Sequence, residues 1–358
     1  MAIYILNLVV VSVCGYMAEV TKKYDEVKKN YKYKMIFIII AALSLILVSG
    51  FRYKVGTDFT QYSEYIIYYD NSFDGVFNEA GFAILLNISR AITENPQLFF
   101  MITSIIVNVC VITFLIKNTD NMFLSLYFYI TTFMFYLTMN GVRQYIASVI
   151  VMLGYRALVE GDFKKYLIYV GVAFTFHSTV IFMIPVYFIA RKRMDSVWNI
   201  GIFFFAIMAM LFYTEFIEIL FELLKDTRFA YYKDIFLDGS GANPIRIIVW
   251  MAPVILIFMY KDRARKVFGK NVDIVVNLCY LGAIFMMLAS KQVFFARMCM
   301  YFDGYYLLLL PKLCFMFDEK TNKFMTALIM VAYLGYSLLL LRSGEAWISP
   351  YNYNLQLF

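Results

Sequence analysis

Charge is what this sequence has least of. Asp, Glu, Lys and Arg make up 16% of its 358 residues, against 62% hydrophobic, where a soluble domain averages about 25% charged. So little charge cannot cover a water-facing surface, which excludes an ordinary soluble enzyme. Histidine is reduced to one residue, His177, which excludes a histidine-rich metal centre. The five cysteines, Cys14, Cys110, Cys279, Cys299 and Cys314, all fall in apolar segments. No two have ligand spacing, so neither a disulfide framework nor a zinc site is expected. Also missing are a Walker loop, GxGxxG, GxSxG, HExxH and a CxxC pair. There is no internal repeat and no low-complexity tract. A net charge of +7 would fit nucleic acid, but the positions of the basic residues fit membrane topology instead.

Long apolar runs are what is there. Stretches 36–49, 98–116 and 200–213 are almost free of charge, and crossing a bilayer takes roughly 17 to 25 such residues with their flanks. Spans are expected at about 3–20, 35–50, 98–116, 122–139, 142–159, 197–214, 245–260, 272–290, 298–316 and 324–341. The first lacks a basic n-region and a small-residue cleavage site, so it reads as a retained span. Tyr and Phe number 30 and 36, which fits interfacial belts and a glycan-facing cavity alike.

The apolar stretch 166–190 has basic clusters at both ends, Lys164 and Lys165 before it, Arg191, Lys192 and Arg193 after it. Charge asymmetry decides its path. If it turns back near His177, 21 of the 32 basic residues fall on the cytoplasmic side; if it crosses once, the bias nearly vanishes. Each arm is about a dozen residues, too short to span fully at about 1.5 Å per residue, and such a turn needs a wet cavity or burial in protein; two thin but complete spans would give the same parity. The expected fold is therefore an all-α polytopic membrane protein, about 10 transmembrane helices plus a broken or re-entrant hairpin near His177. Both termini are expected outside, in a single membrane domain over 1–358 with outer loops at about 51–97 and 215–243. A short amphipathic helix is expected at 80–92.

Ionisable residues at the outer membrane edge are costly and therefore candidates for function. Arg52 and Asp58 follow the second span, with Gly56 permitting a turn between them; a plain interfacial salt bridge is the simpler reading. Arg143 and Gln144 open the fifth span after Asn140 and Gly141; snorkelling would explain the arginine but runs against the charge bias. His177 sits among Phe and Ile, as a packing histidine would, yet at a turn that needs a polar lining. Arg297, with Tyr301 one turn later, could be an aromatic-belt anchor. Arginines with few acids fit a phosphate-bearing ligand, and one histidine and one aspartate could supply a base.

These segments resemble the EpsG family of bacterial membrane proteins, grouped with Wzy-like polysaccharide polymerases and GT-C glycosyltransferases. The matching pieces are Arg52 with Val55-Gly56-Thr57-Asp58-Phe59 and Tyr62; Arg143-Gln144-Tyr145-Ile146-Ala147; Lys164-Lys165 leading to Phe176-His177-Ser178; Arg297 with Tyr301-Phe302; and Pro350-Tyr351. Unlike a typical GT-C enzyme, the first outer loop has no paired acidic metal motif. The resemblance implies a metal-independent polymerase without cofactors, at the outer face of the bacterial cell membrane. It would join undecaprenyl-diphosphate-linked oligosaccharide units for a capsule or exopolysaccharide. His177, Asp58 and Arg143 would be catalytic. Arg52, Arg143, Gln144, Arg297 and Tyr301 would bind substrate. Membrane lipids, a flippase and a chain-length regulator are the expected partners, and nucleic acid is not. A lipid-linked oligosaccharide exporter, a membrane O-acyltransferase and a non-catalytic scaffold fit parts of the same pattern.

Overall fold

The computed structural model describes residues 1–25, 30–68, 79–227, 230–237 and 241–358. The expected outer loops 51–97 and 215–243 therefore lie partly outside the described residues. Among these residues the architecture is helical apart from one small antiparallel hairpin, β1 (Lys23–Asp25) with β2 (Asn30–Lys32). In chain order the first helices are α1 (Ala2–Val20), α2 (Met35–Gly50), α3 (Phe59–Tyr68), α4 (Ala80–Ile92), α5 (Pro96–Asn118) and α6 (Met122–Thr131). Then follow α7 (Met134–Leu137), α8 (Val142–Leu153), α9 (Tyr155–Glu160), α10 (Phe163–Phe174) and α11 (Met183–Ala190). The chain forms two compact units, one of residues 1–184 with 310–358 and one of residues 185–309.

The number of spans is where sequence and structure part. Among the described residues three helices are long and apolar enough to cross a membrane alone: α1, α5 and the late helix Glu319–Ser343. Two bent pairs raise this to at most five, Val197–Leu211 with Tyr213–Leu223 at 99° and Pro244–Met259 with Lys261–Phe268 at 81°. Six further apolar helices have 10–17 residues. The expected continuous spans are cut by local backbone events. Phe133 takes a left-handed φ of 74° and ends α6 inside the stretch 122–139. The chain breaks at Gly154 inside 142–159, and at the 3-10 turn Cys299–Tyr301 inside 298–316.

The first unit has a helical core in which α1 packs on α2 and α6, α2 on α5, and α8 on α5 and α10. Small residues let α2 and α5 approach closely, as in membrane helix pairs. A Cβ on Gly50 would lie 2.6 Å from Met101 Sδ. Ser49 and Ser104 share a hydrogen bond across this contact, and Asn108 Nδ2 donates to Ser49 Oγ at 3.2 Å. The Tyr129 hydroxyl donates to Asn108 Oδ1 at 3.0 Å. These buried polar groups of α2, α5 and α6 are thus paired between helices, as an apolar surrounding demands.

Hydrogen bonds also sort this unit into two ends. At one, Lys22 reaches the Asp120 carbonyl, Glu19 accepts from the Met122 amide, Arg156 donates to the Lys117 carbonyl, and Lys312 pairs with Asp120. At the other, Tyr4 donates to the Ile348 carbonyl, Tyr53 N to Asn352 O, Asn354 N to Phe51 O, and Asn95 to the Gln356 carbonyl. Four of the six basic loops thus gather at one end, and the loop after α2 lies with both termini at the other. The 166–190 stretch turns back near His177. After α10 the chain breaks at Thr175–His177, and the Tyr166 hydroxyl near the start of α10 donates to the Met183 carbonyl at 3.2 Å. Had the chain continued along α10, Met183 would lie some 25 Å away, at about 1.5 Å per residue.

The second unit is built on Pro244–Met259 packed against Val272–Leu288, with Val197–Leu211 beside the latter. Asn199 Nδ2 donates to Asn277 Oδ1 at 2.7 Å in its interior. Asp195 accepts from Arg193, Lys261 and Arg265, which hold its carboxyl well below the usual carboxylate range.

Candidate functional site

The site grows from a helix start that lacks its own cap. The N-cap of α4 is Glu79, whose side chain makes no capping bond to its own helix. The first N–H groups of a helix need acceptors, and here the Thr175 carbonyl provides one. It accepts from Gly81 N at 2.8 Å and Phe82 N at 3.3 Å. The start of α4 is thereby docked on the turn that ends α10. Gly81 permits the approach: a Cβ there would lie 2.3 Å from Thr175 Oγ1.

This docking brings Glu79 to His177. Glu79 Oε1 lies 2.9 Å from His177 Nδ1 and accepts from Ser178 N at 3.0 Å, while Oε2 accepts from Arg143 Nη1 at 2.9 Å. Burial alone would raise the Glu79 carboxyl, but His177, Arg143 and the Ser178 amide outweigh it and hold the group below its ordinary value. The Glu79 side chain is 8% exposed, that of His177 21% and that of Arg143 25%. The carboxylate is therefore enclosed, while the imidazole and guanidinium reach solvent. Tyr62 hydrogen-bonds Arg143, and the guanidinium lies 5.5 Å from the Phe82 ring centre.

The chemistry follows from the acceptor. An ionised carboxylate only accepts, so His177 carries its proton on Nδ1 and presents the Nε2 lone pair. Nε2 has no hydrogen-bond partner among the described residues. A histidine so held is oriented by the carboxylate behind it. Arg143 compensates the charge of Glu79 while the imidazole is neutral. Among the described residues no three His, Cys, Asp or Glu side chains converge as metal ligands.

Of the residues singled out from sequence, His177 and Arg143 come together here. Asp58 stands nearby in the same unit: its Oδ2 accepts from Gly141 N at 2.7 Å, and its Oδ1 from Thr57 Oγ1 at 3.0 Å. This ties the loop after α2 to the start of α8. Arg52 does not face solvent. It is 2% exposed, lies over the Phe100 ring at 4.6 Å, and donates to the Ser49 carbonyl at 2.6 Å and the Met139 carbonyl at 3.2 Å. Its guanidinium joins α2 to the 139–141 turn, and no carboxylate pairs with it among the described residues. Gln144 is buried at 5% exposure. Arg297 and Tyr301 belong to the second unit, where Arg297 stacks 5.2 Å from Phe294 and Tyr301 is buried.

Glu79 escaped the sequence reading. It lies 98 positions from His177, in no motif, among several acids of the same outer segment. The one usable signal was its place directly before the amphipathic helix, a cap position whose side chain the helix leaves unused.

A search of curated proteins and one of solved structures each find no match. The family model for EpsG matches residues 35–355, which takes in α4, the His177 turn and the 350–355 tail. The chain belongs to the EpsG family, a family of Wzy-like polysaccharide polymerases.

Proposed function

We propose that this protein joins lipid-linked oligosaccharide repeat units into a surface polysaccharide. The donor is a growing glycan on undecaprenyl diphosphate, and transfer takes place at the outer face of the bacterial cell membrane. The finer architecture of this reading is about ten membrane passes, the bent and shorter apolar helices completing those that the three long helices begin. The observation that carries the proposal is the Glu79–His177–Arg143 cluster, a carboxylate-oriented imidazole beside a cation at a turn in an apolar chain.

In the proposed step His177 Nε2 takes the proton of an acceptor sugar hydroxyl. The freed oxygen attacks C1 of the donor sugar, and the C1–O bond to the lipid diphosphate breaks. The diphosphate leaves with the electron pair, and its charge is met by the guanidinium of Arg143, which needs no metal for the purpose. Glu79 holds the imidazole and stabilises the imidazolium. Asp58 fixes the 56–58 loop to Gly141 and is the second candidate base.

The experiment is polymerisation in vitro with purified protein and a synthetic lipid-linked repeat unit. The expected result is polymer with release of undecaprenyl diphosphate, undiminished by EDTA. Loss of polymer with EDTA and rescue by a divalent ion would sink the arginine-assisted, metal-free step. Cells lacking the protein are expected to accumulate single lipid-linked units on the outer leaflet. Accumulation on the inner leaflet instead would mark an exporter.

A further inference from the structure

Past Glu319–Ser343 the chain makes one distorted 3-10 turn, Glu345–Trp347, and then runs irregularly to 358, its backbone stitched to the loop that carries Asp58. Gly56 N donates to the Trp347 carbonyl at 2.9 Å, and Asn140 Nδ2 to the Ala346 carbonyl at 3.0 Å. Tyr351 donates to the Val48 carbonyl at 2.9 Å, and residues 52 and 353 pair as an isolated antiparallel bridge. Two consecutive non-glycine residues of this tail are left-handed, Ala346 with φ 57° and Trp347 with φ 54°, and Lys54 on the facing loop has φ 52°. Residues with side chains rarely adopt this conformation and keep it only where surrounding structure holds them there, which is a mark of functional sites. Here the hydrogen bonds from Gly56 and Asn140 do the holding.

What the strain achieves is the display of rings. Trp347 is 73% exposed, Tyr353 60% and Tyr53 39%. Exposed aromatic rings carried on two segments hydrogen-bonded to each other offer a surface for a ligand. That ligand is not the hydrocarbon of a bilayer. These residues sit on irregular backbone, and irregular backbone does not face lipid tails. Lys54 and Thr57 on the same loop are exposed, with the Lys54 ammonium 5.5 Å from the Tyr53 ring centre. Aromatic faces interleaved with hydrogen-bonding groups fit a pyranose, whose C–H face is apolar and whose rim is hydroxyls. The Trp347 carbonyl is bonded to Gly56, two residues before Asp58, which holds the backbone of Trp347 against the loop of the site.

We propose that Trp347, with Tyr53 and Tyr353, is a stacking platform for sugar residues of the lipid-linked glycan, set next to the Asp58 loop. The proposal rests on the polymerase reading for the identity of its ligand. It assigns the strained tail a substrate-binding task distinct from the proton transfer at His177.

Two measurements test it. The first is polymerisation by the full-length purified protein, with the lipid-linked repeat unit extracted from cells that lack the protein. Trp347→Ala is expected to raise KM about 3- to 10-fold, the worth of one aromatic stacking contact, with kcat held within about twofold. Trp347→Tyr is expected to restore most of the loss. The second is tryptophan emission on adding the same oligosaccharide freed from its lipid by mild acid. Only three tryptophans are present, and the shift expected in wild type should vanish in Trp347→Tyr. Unchanged KM in Trp347→Ala with no emission change in wild type overturns the platform. So does strong quenching of Trp347 by lipids brominated on their acyl chains, which would place the indole in the bilayer. If wild type makes no polymer but the oligosaccharide still shifts Trp347 emission, the polymerase reading fails and the sugar platform stands. If wild type polymerises and Trp347→Ala matches it in KM, the platform alone fails.

Discussion

At the scale of single residues the site turns on a proton and on where it sits. His177→Ala should lower kcat by about 10²- to 10⁴-fold, the usual worth of a general base, with little change in lipid-donor binding. Glu79→Gln is the sharper variant. Its amide can donate to Nδ1, which would move the imidazole proton to Nε2 and remove the base, so a loss of at least about tenfold in kcat is expected while KM holds. An active His177→Gln alongside an inactive Asp58→Asn would transfer the role of base to Asp58. Arg143→Lys keeps the charge but not the planar fork shared by Glu79 and Tyr62, and most activity should go with it. Glu79 also predicts a pH dependence. Its folded value lies below its ordinary one, so the stability it contributes is present above about pH 4.3. That contribution is lost as pH falls through the lower folded value. Melting of wild type and Glu79→Gln in detergent should differ by a constant amount near neutrality, and the gap should close on acidification below about pH 4. A gap that widens in acid would contradict this carboxylate's assignment.

At the scale of elements, the proposed catalysis depends on how α4 meets the turn after α10. Only a glycine at 81 permits this contact, because Thr175 Oγ1 occupies the place of a Cβ. Thr175 cannot easily yield, since its hydroxyl is bonded to the Val172 carbonyl at 2.7 Å. Gly81→Ala should therefore push α4 off the turn, part Glu79 from His177, and lower kcat while the protein still inserts and stays folded. Adding Thr175→Ala, which removes the clashing oxygen, should recover part of that loss; two independent defects would simply add. Helix α4 was legible in advance because its apolar residues recur at helical spacing, with Phe82, Leu85, Leu86 and Ser89 on the buried face. Its partner was not, since nothing local in 79–82 points to a turn nearly a hundred residues away.

At the scale of the whole molecule, the first unit has two chemically distinct ends. Lys22, Arg156 and Lys312 meet the 117–122 loop at one, and the termini meet the 51–56 loop at the other. If the basic end is cytoplasmic, a cysteine placed at Asn352 should react with an impermeant maleimide in intact cells. One at Asp120 or Asn271 should react only after permeabilisation. The background should be low, because four of the native cysteines are buried and Cys110 is partly so. Labelling at Asp120 or Asn271 from outside would invert the map.

Composition and periodicity alone determined that this is a helical membrane protein, because low charge and long apolar runs can be satisfied in few other ways. The doubling back near His177 was legible too. Charge asymmetry reports the parity of crossings, and parity does not depend on any particular contact. The residues of the EpsG pattern pointed to His177 and Arg143 before their partner was visible. Tertiary structure alone decided the rest. It broke the expected spans at Phe133, Gly154 and Tyr301, since a left-handed φ or a 3-10 turn leaves almost no trace in hydropathy. It turned Arg52 inward onto the carbonyls of Ser49 and Met139, because an arginine at a helix end reads the same in sequence whether it meets solvent or backbone. It brought Glu79 to His177 through the Thr175 carbonyl, a long-range backbone contact that no spacing rule encodes.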